Sequence, residues 1–465
     1  MLPAFPWSAA HFVGVGGISM SGLACAVAQL GVPCSGSDVA ASPRTVRAEA
    51  AGVRVWIGHA EAHLAGLPPG AIVVANTDVP ADNPELRAAS RPGLERGHRS
   101  VILDWFLRHA GPRSAAVTGT HGKSTTTSLL GLAALAAGLD PTVLVGADVP
   151  GLEGGNYRLG AGPVVVEADE SDGSFVRYRP DVAVVTSLEP EHLEHYGGEF
   201  EAVRAAFRRF LQGMPAAGLA VLCADDPALR ALGARGPEIL WYGLGPEAEL
   251  TAADLELRPQ ETCFRGRLRG RDLGPFRLRL PGRHNVCNVL GALGAVLRLG
   301  ADAAAVAAAF TDFEGAVRRF QVLTQARGIT VVDDYAHNPT KVAAALAAAR
   351  QRSAGRVLAV FQPHRWSRTA QLWEAFGPAF RGCDALWLTD VYAPAGEVPL
   401  PGLSGAAFAD LVARGSGIPV RFVPEPGDVV ADCLAATRPG DLVIVMGAGS
   451  ITAVAHQLAA RLEAG

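Results

Sequence analysis

The run GTHGKSTTT at residues 119–127 sets Lys123 and Ser124 directly behind two glycines, Gly119 and Gly122. It follows the apolar run SAAVT, so the order reads strand, glycine-containing turn, helix. Such a turn aims backbone N–H groups and a helix N-terminus at one point, which suits a phosphate. Gly119, Thr120, His121 and Gly122 would wrap it, Lys123 would reach the β and γ oxygens of ATP, and Ser124 or Thr125 would ligate Mg²⁺. The full signature G-x-x-x-x-G-K-[ST] asks for a glycine where Val117 stands. The plainer alternative is a βα turn opening a threonine-rich helix. Lysine usage argues against it: the chain has 39 arginines and only two lysines, Lys123 and Lys341. Where arginine is the default cation, a retained lysine marks a position that needs a compact ammonium rather than a planar guanidinium.

Other runs bear chemistry too. GVGGISMSG at residues 14–22 approaches G-x-G-x-x-G but has Ser19 at the last position. Asp38 follows about 20 residues after this run, where a ribose-binding acid belongs. A phosphate-bearing ligand fits here, with NAD one candidate, and an NAD-dependent oxidoreductase stands as the alternative from a different class. In VVVEADESDGSF, Glu167, Asp169 and Glu170 follow an apolar strand and offer oxygen ligands for Mg²⁺, although a solvated acidic loop reads the same way. LEPEHLEHY flanks His192 with Glu189, Glu191 and Glu194. DDYAHNP at 333–339 and FQPHRWSRT at 361–369 both follow apolar strands. The second gathers His364, Arg365 and Arg368, a cluster suited to a carboxylate or phosphate, against the default of solvated arginines.

The elements that must position these residues alternate apolar β runs with alanine-rich helices, the pattern of α/β folds with parallel sheets. A length of 465 residues suggests three blocks. HFVGVGG, VRVWIG and AIVVANT read as buried strands of the first, which SVILDWFLRHA closes as a helix before Gly111–Pro112. SAAVT, PVVVEAD, VAVVTSL and GLAVLCAD build the second. Between 249 and 281 the short alternating runs CFRGRLRG and FRLRLPG look antiparallel and edge-like, and NVCNVLGALGAVLRLG reads as a helix. ITVVDDYA, RVLAVFQP, ALWLTDVY and DLVIVMGAG build the third. A formal charge of −4 offers no footprint for nucleic acid or an anionic membrane. No apolar run approaches the ~20 residues of a membrane span, and the start MLPAFPWSAAHFVG lacks the basic lead and apolar core of a signal peptide. The seven cysteines are scattered without a C-x-x-C pair, which fits reduced thiols in a cytoplasmic protein.

Taken in order, GVGGISMSG, GSD, GTHGKSTTT, EADESDGSF, LEPEHLEHYGGEF, LPGRHNVCNVLGA, RRF, DDYAHNPTKV, FQPHRWSRT, VYAPAGEVPLPG and GAGSI resemble the Mur ligase superfamily, the ATP-dependent amide-forming enzymes of peptidoglycan assembly. The resemblance covers nearly the whole chain, and the short phosphate loop is the superfamily's own version. It implies an α/β fold of three domains: a Rossmann-like UDP-sugar domain at 1–111, a central P-loop ATPase domain with a mostly parallel sheet at 112–315, and a Rossmann-like C-terminal domain at 316–465. Gly16, Ser19, Asp38 and His59 would hold the UDP part. Glu167 and His192 resemble the family's magnesium ligands, and His284, Asn285 and Asn288 its adenine-side positions. Arg319 and Asp334 would complete the ATP site, while His337, His364, Arg365 and Arg368 would face the carboxylate and the incoming amine. The implied reaction transfers the γ-phosphoryl to a carboxylate, with Lys123 and Mg²⁺ absorbing charge, and an amine then displaces phosphate, His337 taking its proton.

Within the superfamily the match favours the branch that adds L-alanine to UDP-N-acetylmuramate, in cell-wall synthesis and hence cell shape and division, acting as a monomer or dimer on small molecules. The runner-up is the branch that adds a ready-made peptide to the same sugar nucleotide. Later-acting members use a carbamylated lysine in the central domain; here no lysine lies between Lys123 and Lys341. The family usually shows Asn and Asp-His-x-Asp where this chain has Ser187 and Glu191-His192-Leu193-Glu194, and a second histidine where Asn338 stands.

Overall fold

The computed structural model describes residues 4–111, 113–233, 236–393, 397 and 400–464. Pro112, at the boundary read from the sequence, residues 1–3 of the N-terminal run, and residues 394–396, 398 and 399 of VYAPAGEVPLPG lie outside the described residues. The chain forms two compact units, one comprising Met1–Ala253, Arg265–Phe276 and Cys287–Thr311, the other Asp254–Phe264, Arg277–Val286 and Asp312–Gly465.

The first unit opens with five parallel strands, β1 (Ala10–Val13), β2 (Cys34–Asp38), β3 (Arg54–Ile57), β4 (Ala71–Ala75) and β5 (Leu94–His98), in the order β3-β2-β1-β4-β5. β1 and β4 are wholly buried, as an apolar run covered on both faces should be. β3 corrects the reading from sequence: it is an edge strand, pairing within this sheet only with β2, and Arg54 and Ile57 are exposed. LERGH, which carries no strand pattern, forms the other edge as β5. Helix α1 (Ile18–Gln29) follows the glycine run after β1.

The next sheet contains β6 (Ser114–Thr118), β7 (Thr142–Leu144), β8 (Tyr157–Arg158), β9 (Val164–Glu167), β10 (Val182–Val185), β11 (Leu219–Cys223), β12 (Glu238–Gly243), β13 (Leu250–Leu257), β14 (Thr262–Leu268) and β15 (Arg271–Leu278). Their order is β15-β14-β13-β12-β11-β10-β6-β9-β7-β8. The register sets Val117 of β6 beside Glu167 of β9, and Thr118 beside Val185 of β10. The loops leaving these three strands therefore emerge side by side, at the carboxyl edge where α/β proteins place their ligands. Helix α2 (Lys123–Ala136) begins immediately after the first of these loops. The edge expected of FRLRLPG is present in β15, whereas CFRGRLRG forms β14, which lies between β15 and β13; β14 and β15 join through Arg269–Gly270, both at positive φ, a two-residue hairpin turn.

In the second unit β16 (Gln321–Ala326) pairs antiparallel with β17 (Ile329–Asp334), and β18 (Val357–Phe361), β19 (Ala385–Leu388), β20 (Val420–Phe422) and β21 (Leu442–Met446) run parallel to it in the order β16-β17-β21-β18-β19-β20. Phe361, Phe376, Phe380 and Phe408 pack one face, and Val331, Val360, Val443 and Leu458 the other. Asp334 of β17 and Phe361 of β18 both stand in register with Met446 of β21, so the loops 335–338 and 362–365 leave at one level on either side of β21. Helix α3 (Pro339–Arg352) starts after the first of them, with Asn338 as N-cap. Among the described residues no helix is long and apolar enough to cross a membrane.

Candidate active site

The phosphate loop is shaped by what glycine permits. Gly119 and Gly122 have φ of +126° and +79°, and a Cβ on Gly122 would stand 2.5 Å from Asn288 Oδ1. No side chain with a Cβ fits there without displacing that amide. The β10 loop clamps the turn from the side: Thr120 N–H donates to the Ser187 carbonyl (3.1 Å) and His121 N–H to Ser187 Oγ (2.8 Å). Ser187, where the family pattern differs, thus still holds the loop. Thr186 Oγ1 donates to the Thr118 carbonyl at 3.1 Å, and Thr120 Oγ1 accepts from Glu189 N–H at 2.8 Å.

Lys123 Nζ donates to the Gly119 carbonyl at 2.8 Å and pairs with Glu170 at 2.7 Å. Burial works against its charge, and the facing carboxylates of Glu170, Asp169 and Glu167 more than offset it, so its pKa lies above the ordinary lysine value. Burial pushes the Glu170 carboxyl up to about 7 despite Lys123. Asp169 pairs with Arg99 at 3.0 Å and lies 4.0 Å from Lys123 Nζ. Glu167 at the end of β9 accepts from Ser124 Oγ at 3.0 Å and from Gly146 N–H at 2.7 Å. The hydroxyl and carboxylate are hard oxygen donors on adjacent elements, a pair that fits Mg²⁺ completed by waters and phosphates. Among the described residues no group of three or more His, Cys, Asp and Glu forms a closed cage, and magnesium held this way needs none. His192 takes a left-handed backbone (φ +59°) in the loop after β10, and His121 Nε2 lies 2.9 Å from Glu189. Asn288 accepts from Thr126 Oγ1 at 3.3 Å.

In the first sheet Gly16 N–H donates to Asp38 Oδ2 at 2.8 Å, and a Cβ on Gly16 would stand 2.9 Å from that oxygen. The aspartate and the glycine turn are therefore one unit, and Ser19 sits in the first turn of α1, whose N-cap Gly17 supplies no side-chain bond to the helix N–H groups. His59 is fixed from behind by Ser37 of the run GSD and, through it, by Glu85, which no motif marks. Fully buried Glu85 takes hydrogen bonds from Ser37 Oγ and from His63 Nδ1 (2.6 Å). Because a carboxylate only accepts, the Ser37 proton points to Glu85 and His59 Nδ1–H donates to Ser37 Oγ at 2.9 Å. Burial raises the Glu85 pKa, but hydrogen bonds from His11, Ser37 and His63 outweigh it and bring it to about 2.

The second unit holds the remaining predicted residues. Asp334 accepts from Phe320 N–H (2.7 Å) and Ala336 N–H (2.8 Å), while the Arg318 and Arg319 guanidinium groups each lie 5.0 Å from the Tyr335 ring centre. His337 and His364 have ring centres 6.3 Å apart. His364 stacks on Tyr392 at 5.3 Å, a residue the motif reading passed over although it stands in the run VYAPAG. Arg368 donates to His364 Nδ1 at 3.2 Å. Burial, Arg368 and Arg365 lower the His364 pKa to about 4. Arg365 has φ +70° and donates its N–H to the Tyr392 carbonyl at 2.9 Å, a strained backbone of the kind that gathers at functional sites. Asn285 Nδ2 donates to the Pro281 carbonyl at 2.7 Å, and the neighbouring His284 is exposed.

Comparison with known proteins gives the class. Residues 9–110 match the description "Mur ligase family, catalytic domain", 117–296 "Mur ligase middle domain" and 318–449 "Mur ligase, glutamate ligase domain". The chain belongs to the Mur ligase family. It is 48% identical to a UDP-N-acetylmuramate–L-alanine ligase of Symbiobacterium thermophilum over 97% of this chain and 94% of that relative. To the ligase of the same name in Pelotomaculum thermopropionicum it is 41% identical, covering 97% of each. Among solved structures it is similar to the UDP-N-acetylmuramate-alanine ligase of Thermotoga maritima, 27% identical, with a TM-score of 0.82 and coverage of 98% of this chain and 99% of that one. A murein peptide ligase from Psychrobacter arcticus shares the fold at 22% identity and a TM-score of 0.69, with coverage of 98% and 99%.

Proposed function

We propose that the chain is an ATP-dependent ligase that joins L-alanine to the carboxylate of UDP-N-acetylmuramate through an acyl phosphate, releasing ADP and phosphate. One constellation carries this reading: Lys123 beside the Ser124–Glu167 pair, 3.0 Å apart where the start of α2 meets the end of β9. The likeness to relatives named for L-alanine, over 97% of the chain, narrows the acceptor. In this reading residues 1–111 hold the UDP-sugar, 112–315 the ATP and 316–465 the amino acid, in the cytoplasm.

A carboxylate resists attack because its charge repels a nucleophile. Gly119 to Thr125 hold the phosphates, and Lys123 stabilises charge on the transferred phosphoryl. Ser124, Glu167 and His192 hold magnesium, which neutralises phosphate charge when bound. Asp38, Ser19 and His59 anchor the UDP-sugar; His284, Asn285, Asn288, Arg319 and Asp334 border the nucleotide. Arg365, Arg368 and His364 orient the carboxylate and the acceptor, and His337 takes the amine proton.

The test is ADP release from ATP, Mg²⁺ and UDP-N-acetylmuramate with L-alanine, other free amino acids and the intact murein tripeptide. Turnover with L-alanine is expected. Turnover with the peptide alone would assign the recycling reaction instead, and NADH binding without ATP hydrolysis would assign an oxidoreductase.

A further inference from the structure

The second lysine has no part in the reaction as set out so far. Lys341 occupies the third position of α3, where its N–H donates to the capping Asn338 Oδ1 at 2.9 Å. A helix start favours negative charge, and this position favours the glutamate or glutamine of a capping box. The basic residues of the last turn, Arg350 and Arg352, obey that rule, and Lys341 breaks it. It is also a lysine in a chain that elsewhere, Lys123 apart, uses arginine for its cationic side chains. Two local preferences are overridden at one residue, and the side chain shows why. Lys341 Nζ lies 3.4 Å from His337 Nε2.

The other ring nitrogen fixes the direction of that contact. His337 Nδ1 lies 2.8 Å from the Tyr335 carbonyl, which only accepts, so Nδ1 carries a proton. An ammonium only donates, so Nε2 presents its lone pair to Lys341. We propose that Lys341 is a positioning residue that keeps His337 neutral, in the Nδ1–H tautomer, with Nε2 ready to take the proton of the incoming amine. A point-like ammonium does this where a planar guanidinium would not. The inference rests on the ligase reading for what the base is used for. As the alanine nitrogen bonds to the acyl carbon, the Lys341 ammonium gives up its contact with Nε2, whose one lone pair takes the amine proton, and the C–O bond to phosphate breaks, with the bonding pair leaving on phosphate. Other groups around the ring include the Tyr335 edge at 5.2 Å and the His364 ring at 6.3 Å, with Arg318 and Arg319 over Tyr335 and Arg368 on His364. Asp333, paired with Arg318 at 3.4 Å, and Asp334 supply the opposite charge.

Nitrogen-15 NMR of the histidines, with His337→Gln to assign the signal, reads the tautomer without reference to activity. The wild type should show His337 as Nδ1–H, and in Lys341→Met its titration midpoint should rise by about one pH unit, since a neighbouring cation has been removed. The acid limb of kcat/KM for L-alanine should move by the same amount, with KM for ATP unchanged. Lys341→Glu restores the capping preference, so it should melt at a higher temperature and still lose ligation. An Nε2–H tautomer in the wild type, or an unmoved His337 midpoint and acid limb in a folded Lys341→Met protein, overturns the inference. A wild type that makes no alanyl product overturns the ligase reading instead, and the NMR result still decides the tautomer.

Discussion

At the scale of single residues, the resting loop already binds anions of the protein's own. Lys123 is neutralised by Glu170 at 2.7 Å and a carbonyl at 2.8 Å, so the ammonium is held in place before any phosphate arrives. Removing it leaves Glu170 and Asp169 facing each other without their shared cation. Lys123→Ala should therefore lower amide formation by about three orders of magnitude or more, as loss of a phosphoryl-stabilising cation does. Binding of the UDP-sugar, measured by calorimetry, should be nearly unchanged, because Gly16, Asp38 and His59 belong to the β1–β5 sheet and make none of the Lys123 contacts. Loss of both together would contradict the separation of the two sites. The Ser187 substitution carries a lesson at this scale. A shorter side chain in place of the family's asparagine still reaches His121 N–H, at 2.8 Å.

At the scale of elements, Glu85 ties together parts that are distant in sequence. His11 on β1, Ser37 on β2, His59 after β3 and His63 in the short helix Glu61–Leu64 all face its carboxylate. Its depressed pKa has a sign that can be tested. The stabilisation is complete above the unfolded value of 4.5 and is lost as pH falls through about 2. Linkage makes this on the order of 3 kcal/mol. Urea unfolding at pH 7 and pH 3 should show Glu85→Gln less stable at neutral pH and less sensitive to acid, and parallel acid curves for the two proteins would refute it. Of this cluster only His59 and, within the run GSD, Ser37 were marked beforehand, both through the family resemblance; His11, His63 and Glu85 share no spacing with them, and each alone reads as a polar residue beside a strand. The phosphate loop was legible because its residues are contiguous, and the order of strand, turn and helix fixes where they point. β3 was misplaced for a different reason: an apolar run states that a strand exists, while its position in the sheet depends on which neighbours arrive later in the chain. Tyr392 was missed because its stacking on His364 joins two loops, and neither sequence run alone implies the other.

At the scale of the whole molecule, three sheets place their reactive loops at strand ends, and both lysines stand just beyond such an end. That distribution has a use outside catalysis. A reagent that acylates primary amines ordinarily scatters over a protein surface, but in this chain the described structure offers it only two side-chain targets, each within or beside a loop assigned to the reaction. Mild treatment with an N-hydroxysuccinimide ester, followed by peptide mass spectrometry, should report on those two side chains and, besides them, only the α-amino group. ATP with magnesium should slow modification of Lys123 and leave the Lys341 peptide as the internal reference, whereas equal labelling of Lys123 with and without nucleotide would speak against its phosphate contact. A generic amine tag thus becomes an occupancy gauge for this enzyme, readable without any turnover.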